Sequence, residues 1–317
     1  MYDSLVLLAG LAVLIKSAGF LVAGASSIAA RLGISSLVIG LTIVSFGTSM
    51  PEMLVTMVSG LRYNADLAIA NVIGSNIANV LLVLGVAAIV RPLTVHDSTV
   101  VSEIPFSLTA ALLVGFLANA ALFSPIPELS ISRLDGGILL FFFVLFMLYV
   151  YKISREKDEA GWDESADLGT GRALAYIALG IVGLYFGGGW VVDGAVGIAQ
   201  WLDIDDALIG LTIIAVGTSS PELVASAVAA YRNQSDIAVG NVVGSNIFNL
   251  LWVLGLTSSI VELPFEVISN TDLVMVIASS SLIIIALTIS RNNTVQRAHG
   301  IMFVSLYAAY LAYVVGR

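Results

Sequence analysis

Two glutamates stand where a carboxylate is costly. Glu52 lies in SSLVIGLTIVSFGTSMPEMLVTMVSG and Glu222 in DALIGLTIIAVGTSSPELVASAVAA, both otherwise apolar runs. Each follows a proline, Pro51 or Pro221, and each stands four residues after a threonine, Thr48 or Thr218. That spacing places hydroxyl and carboxylate on one helix face. The proline cannot donate to the carbonyl four residues earlier, and its ring opens that turn. Carbonyls from Ser45 to Gly47, and from Ala215 to Gly217, are expected to lose their helix partners. In lipid, such groups must be satisfied within the protein or by something bound there. A dehydrated cation is one such partner. One proline could be a structural kink. The same Gly-Thr-Ser-x-Pro-Glu in both places points to function, since an intramembrane acid costs about 3 kcal/mol uncompensated.

Two further stretches supply polar groups. Asn71, Ser75 and Asn79 occupy successive i, i+4 positions, and Asn241, Ser245 and Asn249 repeat them. Ser75, Ser245, Asn79 and Asn249 read as cation ligands. The plainer role is bonding across helices, at about 0.6 kcal/mol each. For Asn71 and Asn241 packing weighs as much as ligation. Gly74 and Gly244 would allow close helix approach. Together with Ser49 and Ser219 inside the paired motifs, the donor set is hard and oxygen-rich: two carboxylates, hydroxyls, amide oxygens and backbone carbonyls. It suits Ca2+, which takes about 6–8 oxygens, and Na+. It does not suit Zn2+ or copper, which prefer nitrogen or sulfur. Two carboxylates balance one Ca2+ or two Na+, and three Na+ would leave one positive charge. Moving one charge across 100 mV involves about 2.3 kcal/mol, so stoichiometry decides whether voltage matters. Protons are expected to compete for the same carboxylates.

The elements that must hold these groups are membrane helices. The chain of 317 residues is 58% hydrophobic and 11% charged, less than half the charge of an ordinary soluble domain. Its apolar runs are continuous and reach the roughly 20 residues that span a bilayer, rather than the alternating strands of a barrel. Ten spans are read, at 4–30, 36–60, 66–90, 103–123, 134–153, 172–201, 207–230, 236–261, 271–290 and 298–316. The opening MYDS carries an acid and no basic region, so the first span is not read as a signal peptide. There is no cysteine, which excludes disulfides and thiolate metal sites. His96 and His299 fall near span ends. The net charge of −9 offers no basic patch for nucleic acid.

An internal repeat organises the chain. GLTIVSFGTSMPE meets GLTIIAVGTSSPE, and NVIGSNIANVLLVLG meets NVVGSNIFNLLWVLG, both at an offset of 170. GFLVAGASSIAARLGIS aligns more loosely with GWVVDGAVGIAQWLDID. The expected fold is thus an all-α polytopic membrane protein of ten transmembrane helices. Residues 1–153 form a first five-helix repeat and residues 172–317 a second, joined by a charged linker at 154–171. Five spans are an odd number, so the repeats are inverted about an axis in the membrane plane, with broken helices at the midplane. Nine Lys and Arg fall on the linker's face and three on the other. The linker is therefore expected to be cytoplasmic and both termini outside. Tyr149, Tyr151 and Trp201 read as interfacial anchors. Lys16 reads as a snorkelling side chain or one in a solvated cleft. Asp193 reads as a helix-end charge, and Asp135 and the acids of 203–206 as loop charges. Gly187 to Gly189 could be a packing face or a flexible point.

The paired GTSMPE…NVIGSNIAN and GTSSPE…NVVGSNIFN resemble the two α-repeats of the calcium/cation antiporter superfamily, with the closest look to prokaryotic Na+/Ca2+ exchangers. The resemblance covers the whole ten-span layout. It implies alternating-access exchange of Na+ for Ca2+ across the cell membrane, usually three Na+ per Ca2+. It implies a Ca2+ site at Glu52, Glu222, Thr48 and Thr218. Na+ sites would add Ser75, Ser245 and the carbonyls of Ser45 and Ala215, with Asn79 at the middle. The first and sixth spans would slide as a gate. Related K+-dependent exchangers carry Asp where Asn249 stands, which argues against K+ co-transport. H+/Ca2+ exchangers show a Gly-Asn-x-x-Glu pattern that is missing here, which favours Na+ coupling. The linker lacks room for large Ca2+-sensing domains. No prosthetic group and no protein partner is implied, only the two ions and the bilayer. The alternatives are H+/Ca2+ exchange, a cation channel, which would need sites strung along a pore, and a hydrolase using Ser49 or Ser219. For the last, neither motif holds a base.

Overall fold

The computed structural model describes residues 2–95, 97–120, 129–155, 168–202, 215–266, 269–290 and 293–316. Nearly all of this is helix, as apolar segments in lipid require, because a helix satisfies its own backbone. In chain order the helices are α1 (Tyr2–Leu32), α2 (Ser36–Thr48), α3 (Met50–Leu61), α4 (Ala65–Val90), α5 (Thr99–Ala118), α6 (Arg133–Ile153), α7 (Thr170–Trp201), α8 (Ala215–Thr218), α9 (Ser220–Tyr231), α10 (Ser235–Ile260), α11 (Ser269–Ile289) and α12 (Arg297–Gly316). Among the described residues eight helices are long and apolar enough to cross a membrane, or nine if α2 and α3 count as one bent span. The expected span 207–230 enters the described residues only at Ala215. Residues 203–214, the greater part of the linker (156–167), the end of the fourth span (121–123) and His96 lie outside them.

The proline motif breaks the helix instead of kinking it. α2 and α3 meet at 50° around Ser49, and Pro51 falls in the first turn of α3. Pro221 occupies the same place in α9 after Ser219. Proline is tolerated there because an N–H at a helix start has no intrahelical acceptor to lose. One expectation changes accordingly. The carbonyl of Ser45 keeps a partner, accepting from the Ser49 N–H at 3.0 Å and from Thr48 Oγ1 at 3.3 Å. A break after Ser49 leaves the preceding turn intact.

Among the described residues three spans also contain a π-helical segment: Gly40–Val44 in α2, Asn79–Leu84 in α4 and Phe248–Val253 in α10. Such wide turns are rare and gather at functional sites. Two of them hold the asparagines of the polar stretches, Asn79 and Asn249.

α4 and α10 form the buried centre, and they run antiparallel. The strand after the C-terminus of α4, β1 (Leu93–Thr94), packs on the N-terminal part of α10. The strand after α10, β3 (Leu263–Pro264), packs on the N-terminal part of α4. Two short ribbons sit at these ends. β1 pairs with β4 (Thr294–Val295), and β3 pairs with β2 (Ser130–Ile131), both antiparallel.

α1 and α7 pack along each other with glycines at the contacts. A Cβ on Gly24 would lie 2.7 Å from the Ala173 carbonyl, and one on Gly194 would lie 2.7 Å from the Asp3 carbonyl. Gly187 faces Leu14, and Gly188 faces Pro221 and Ser220, so these two glycines belong to packing faces. Gly244 likewise lets α10 approach α2, with a Cβ there only 2.9 Å from Leu41 Cα. No described atom lies within 4 Å of a Cβ built on Gly74. Lys16 is exposed on α1 with its ammonium 5.9 Å from the centroid of the Phe20 ring, as a snorkelling lysine would be. Tyr151, Trp201 and Asp193 are exposed as well.

Candidate cation-binding site

The two helix breaks bring the two glutamates to the centre. Glu52 begins α3 and Glu222 begins α9, where N-terminal helix dipoles favour a negative charge. Both are buried. They are held by an exchange of bonds between the chain's halves. Ser49 Oγ donates to Glu222 Oε1 at 3.0 Å, and Ser219 Oγ donates to Glu52 Oε1 at 3.3 Å. Each carboxylate thus has one oxygen fixed by a serine of the other half. The second oxygen of each, Oε2, finds no donor among the described residues.

Asparagines anchor the start of each half-helix. Asn71 Nδ2 donates to the Glu52 carbonyl at 3.1 Å and to Thr56 Oγ1 at 2.9 Å. Asn241 Nδ2 donates to Ser226 Oγ at 2.9 Å and to the Glu222 carbonyl at 3.5 Å. Asn241 Oδ1 accepts from Thr48 Oγ1 at 3.0 Å. These bonds favour the supporting role for Asn71 and Asn241. Both amides are spent on holding backbone and hydroxyls around the glutamates.

The other polar residues converge here from α4 and α10. Ser45, Thr48, Ser75, Ser245, Asn79 and Asn249 are buried, and Thr218 is half-buried. Ala215 contributes its backbone at the start of α8. Asn79 Nδ2 donates to Asn246 Oδ1 at 3.0 Å, and Asn79 Oδ1 has no donor among the described residues. Ser245 Oγ and both Asn249 amide atoms, Oδ1 and Nδ2, are also without partners among the described residues. Buried polar atoms are nearly always hydrogen-bonded, so unpaired ones call for a partner of another kind. Most of them here are oxygens, which suit a cation, while Asn249 Nδ2 is an unpaired donor. Among the described residues no three acids, histidines or cysteines gather as a metal cluster. The set instead dilutes two carboxylates with neutral oxygens, as hard, exchangeable cations require.

Asn76 and Asn246 were not singled out by spacing, yet both are buried within this network. Asn246 orients the Asn79 amide, and its own Nδ2 donates to the Asn76 carbonyl at 3.4 Å. The signal was present. Asn76 and Asn246 repeat at the same offset of 170 as their neighbours, but they lie off the i, i+4 line through Asn71 and Asn79.

The family model described as sodium/calcium exchanger protein matches residues 3–152 and 172–316. Inner membrane protein YrbG of Escherichia coli strain K12 is 35% identical over 315 residues, covering 96% of this chain and 94% of that one. Sodium/calcium exchanger MaX1 of Methanosarcina acetivorans is 30% identical over 339 residues, covering 97% of each chain. Among solved structures, the sodium-calcium exchanger NCX_Mj soaked with Na+ and Sr2+ superposes with a TM-score of 0.82 at 30% identity, over 98% of both chains.

Proposed function

This chain belongs to the sodium/calcium exchanger protein family, and from that membership we propose that it exchanges Na+ for Ca2+ across the cell membrane by alternating access. One observation carries the reading. Two buried carboxylates, each with one oxygen held by a serine of the opposite half, keep a second oxygen that has no hydrogen-bond partner among the described residues. Such a site is suited to cations, and with both carboxylates ionised its charge of −2 is matched by one Ca2+ or by two Na+. Loading with three Na+ makes the exchange electrogenic.

In this reading Ca2+ is held by Glu52, Glu222, Thr48 and Thr218. Na+ uses Ser75, Ser245 and the carbonyls of Ser45 and Ala215, with Asn79 and Asn249 between. Ser49 and Ser219 position the carboxylates and add oxygens. The architecture is ten spans in two inverted repeats, residues 1–153 and 172–317. The linker 154–171 is cytoplasmic and both termini lie outside. The antiparallel course of α4 and α10 supports the inversion, and the bias of Lys and Arg supports the orientation. The protein acts as a transporter without a prosthetic group, not as an enzyme.

The test is flux through the purified protein in proteoliposomes. An outward Na+ gradient is expected to drive uptake of radioactive Ca2+, and a clamped voltage is expected to change its rate. Uptake that ignores Na+ and follows a pH gradient would move the assignment to H+/Ca2+ exchange. Single-channel currents would replace the carrier by a channel.

A further inference from the structure

Arg62 and Arg232 are equivalent residues at the ends of α3 and α9, 170 positions apart. Their turns are built alike. Arg62 has φ −89° and ψ 10°, and Arg232 has φ −84° and ψ 11°. Each is followed by a residue in the left-handed region, Tyr63 at φ 59° and Asn233 at φ 63°. Their surroundings differ.

Arg232 Nη1 donates to the main-chain carbonyl of Gly19, in the middle of α1, at 2.8 Å. The guanidinium lies on the helix surface where Gly19 has no side chain, and a Cβ there would meet Nη2 at 2.9 Å. The counterpart of Gly19 at the same offset is Gly189, in α7. No described atom lies within 4 Å of where its Cβ would be, so Arg62 is not there. The Arg62 guanidinium has no hydrogen-bond partner among the described residues. Helix packing repeats the asymmetry: α1 packs along α9, while α7 has no packing of that extent against α3.

From this difference we propose that Arg232 and Arg62 are alternate latches of the transport cycle, each closing one entrance by binding a glycine carbonyl of a moving helix. The proposal rests on the exchange reading above. α1 and α7 interlock through their glycines and move as a unit. When α1 lies against α9, Arg232 holds Gly19 and the cytoplasmic entrance is sealed. When the pair shifts, that bond opens, α7 closes on α3, and Arg62 takes the Gly189 carbonyl to seal the outer entrance. The two bonds are mutually exclusive. They act as positioning groups and touch no ion. A charge-assisted bond suits this role, because it is strong, directional and made to a backbone that is always present.

The test is the apparent Ca2+ affinity measured separately from each face of oriented proteoliposomes. Apparent affinity falls in proportion to the fraction of protein open to that face. Arg232→Ala removes the cytoplasmic latch, so affinity is expected to rise at the cytoplasmic face and fall at the outer one. Their ratio should change on the order of tenfold, as expected for a lost bond to a charged group. Arg62→Ala is expected to change the ratio in the opposite direction, and Arg232→Lys, which keeps one donor, to fall between wild type and Arg232→Ala. Arg62→Ala loses no bond in the conformation described, so it decides the matter even if Arg232→Ala does not fold. Equal changes at both faces, no change, or the same sign for both arginines would overturn the latches while leaving exchange intact. Wild-type vesicles without Na+-driven Ca2+ flux would sink the exchange reading and the latches with it.

Discussion

Ser49 and Glu222 stand 173 residues apart in the chain and are joined by a hydrogen bond of 3.0 Å. The reciprocal bond, from Ser219 to Glu52, is 3.3 Å. Neither half of the chain therefore builds its own carboxylate site. Each lends a hydroxyl to the acid of the other, and each acid keeps one oxygen without a hydrogen-bond partner among the described residues.

The first expectation concerns those acids. Glu52→Gln or Glu222→Gln keeps shape but removes one of only two negative charges. Either is expected to abolish Na+-dependent Ca2+ flux, and normal exchange in either variant would refute the proposed site.

Replacing Ser49 by Ala removes the donor to Glu222 without removing charge. Loss of a bond to a charged group is worth about 1.5 kcal/mol. The apparent Ca2+ affinity is thus expected to weaken by about tenfold with exchange retained. Complete loss of transport with the protein still folded would assign Ser49 a larger role than positioning.

Asn246 Oδ1 accepts from Asn79 Nδ2 at 3.0 Å, and the proposed site assigns Asn79 Oδ1 to an ion. In Asn246→Ala that amide loses its orientation. Na+ and Ca2+ apparent affinities are both expected to drop several-fold, with the fold intact by size-exclusion chromatography. Unchanged affinities would mean that Asn79 does not bind ions.

A proton and a cation compete for the same carboxylate oxygens. Exchange is therefore expected to decline as pH falls, and raising Ca2+ should restore it. Inhibition by acid that saturating Ca2+ fails to relieve would place the proton elsewhere.

Gly244 tests packing apart from ion binding. An added Cβ would meet Ser45 Oγ at 2.7 Å and Leu41 Cα at 2.9 Å, and only the hydroxyl could yield. Gly244→Ala is expected to destabilise by about 1–3 kcal/mol, read as a lower midpoint of thermal unfolding in detergent. An unchanged midpoint would show that α2 and α10 are free to separate.

Much of this organisation was legible in the sequence because it occurs twice. One proline beside one glutamate is ambiguous, but the same pair at an offset of 170 marks a site. The polar residues of α4 and α10 were visible for the same reason. The rest was hidden by physics that residue types do not report. A π turn such as Asn79–Leu84 has no composition of its own, since packing selects it. Asn76 and Asn246 escaped because a straight helical face was assumed across segments that are not regular α-helix. The break at Ser49 was read as an opened turn, yet proline placed in the first turn of a new helix leaves the Ser45 carbonyl bonded. The pairing of Arg232 with Gly19 was beyond reach, because a long-range bond to a backbone carbonyl leaves no mark in either residue's neighbours.

The two β-ribbons, small as they are, divide the molecule mechanically. β1–β4 and β2–β3 stitch the outer parts of both halves together at opposite ends. No strand among the described residues adjoins α1 or α7. In the proposed exchange cycle the stitched helices are the stator and the unstitched pair is the slider. A change that loosens either ribbon should blur the boundary between them, letting the frame give way where only the slider is meant to travel. The expected symptom is slippage, with Ca2+ moving uncoupled from Na+.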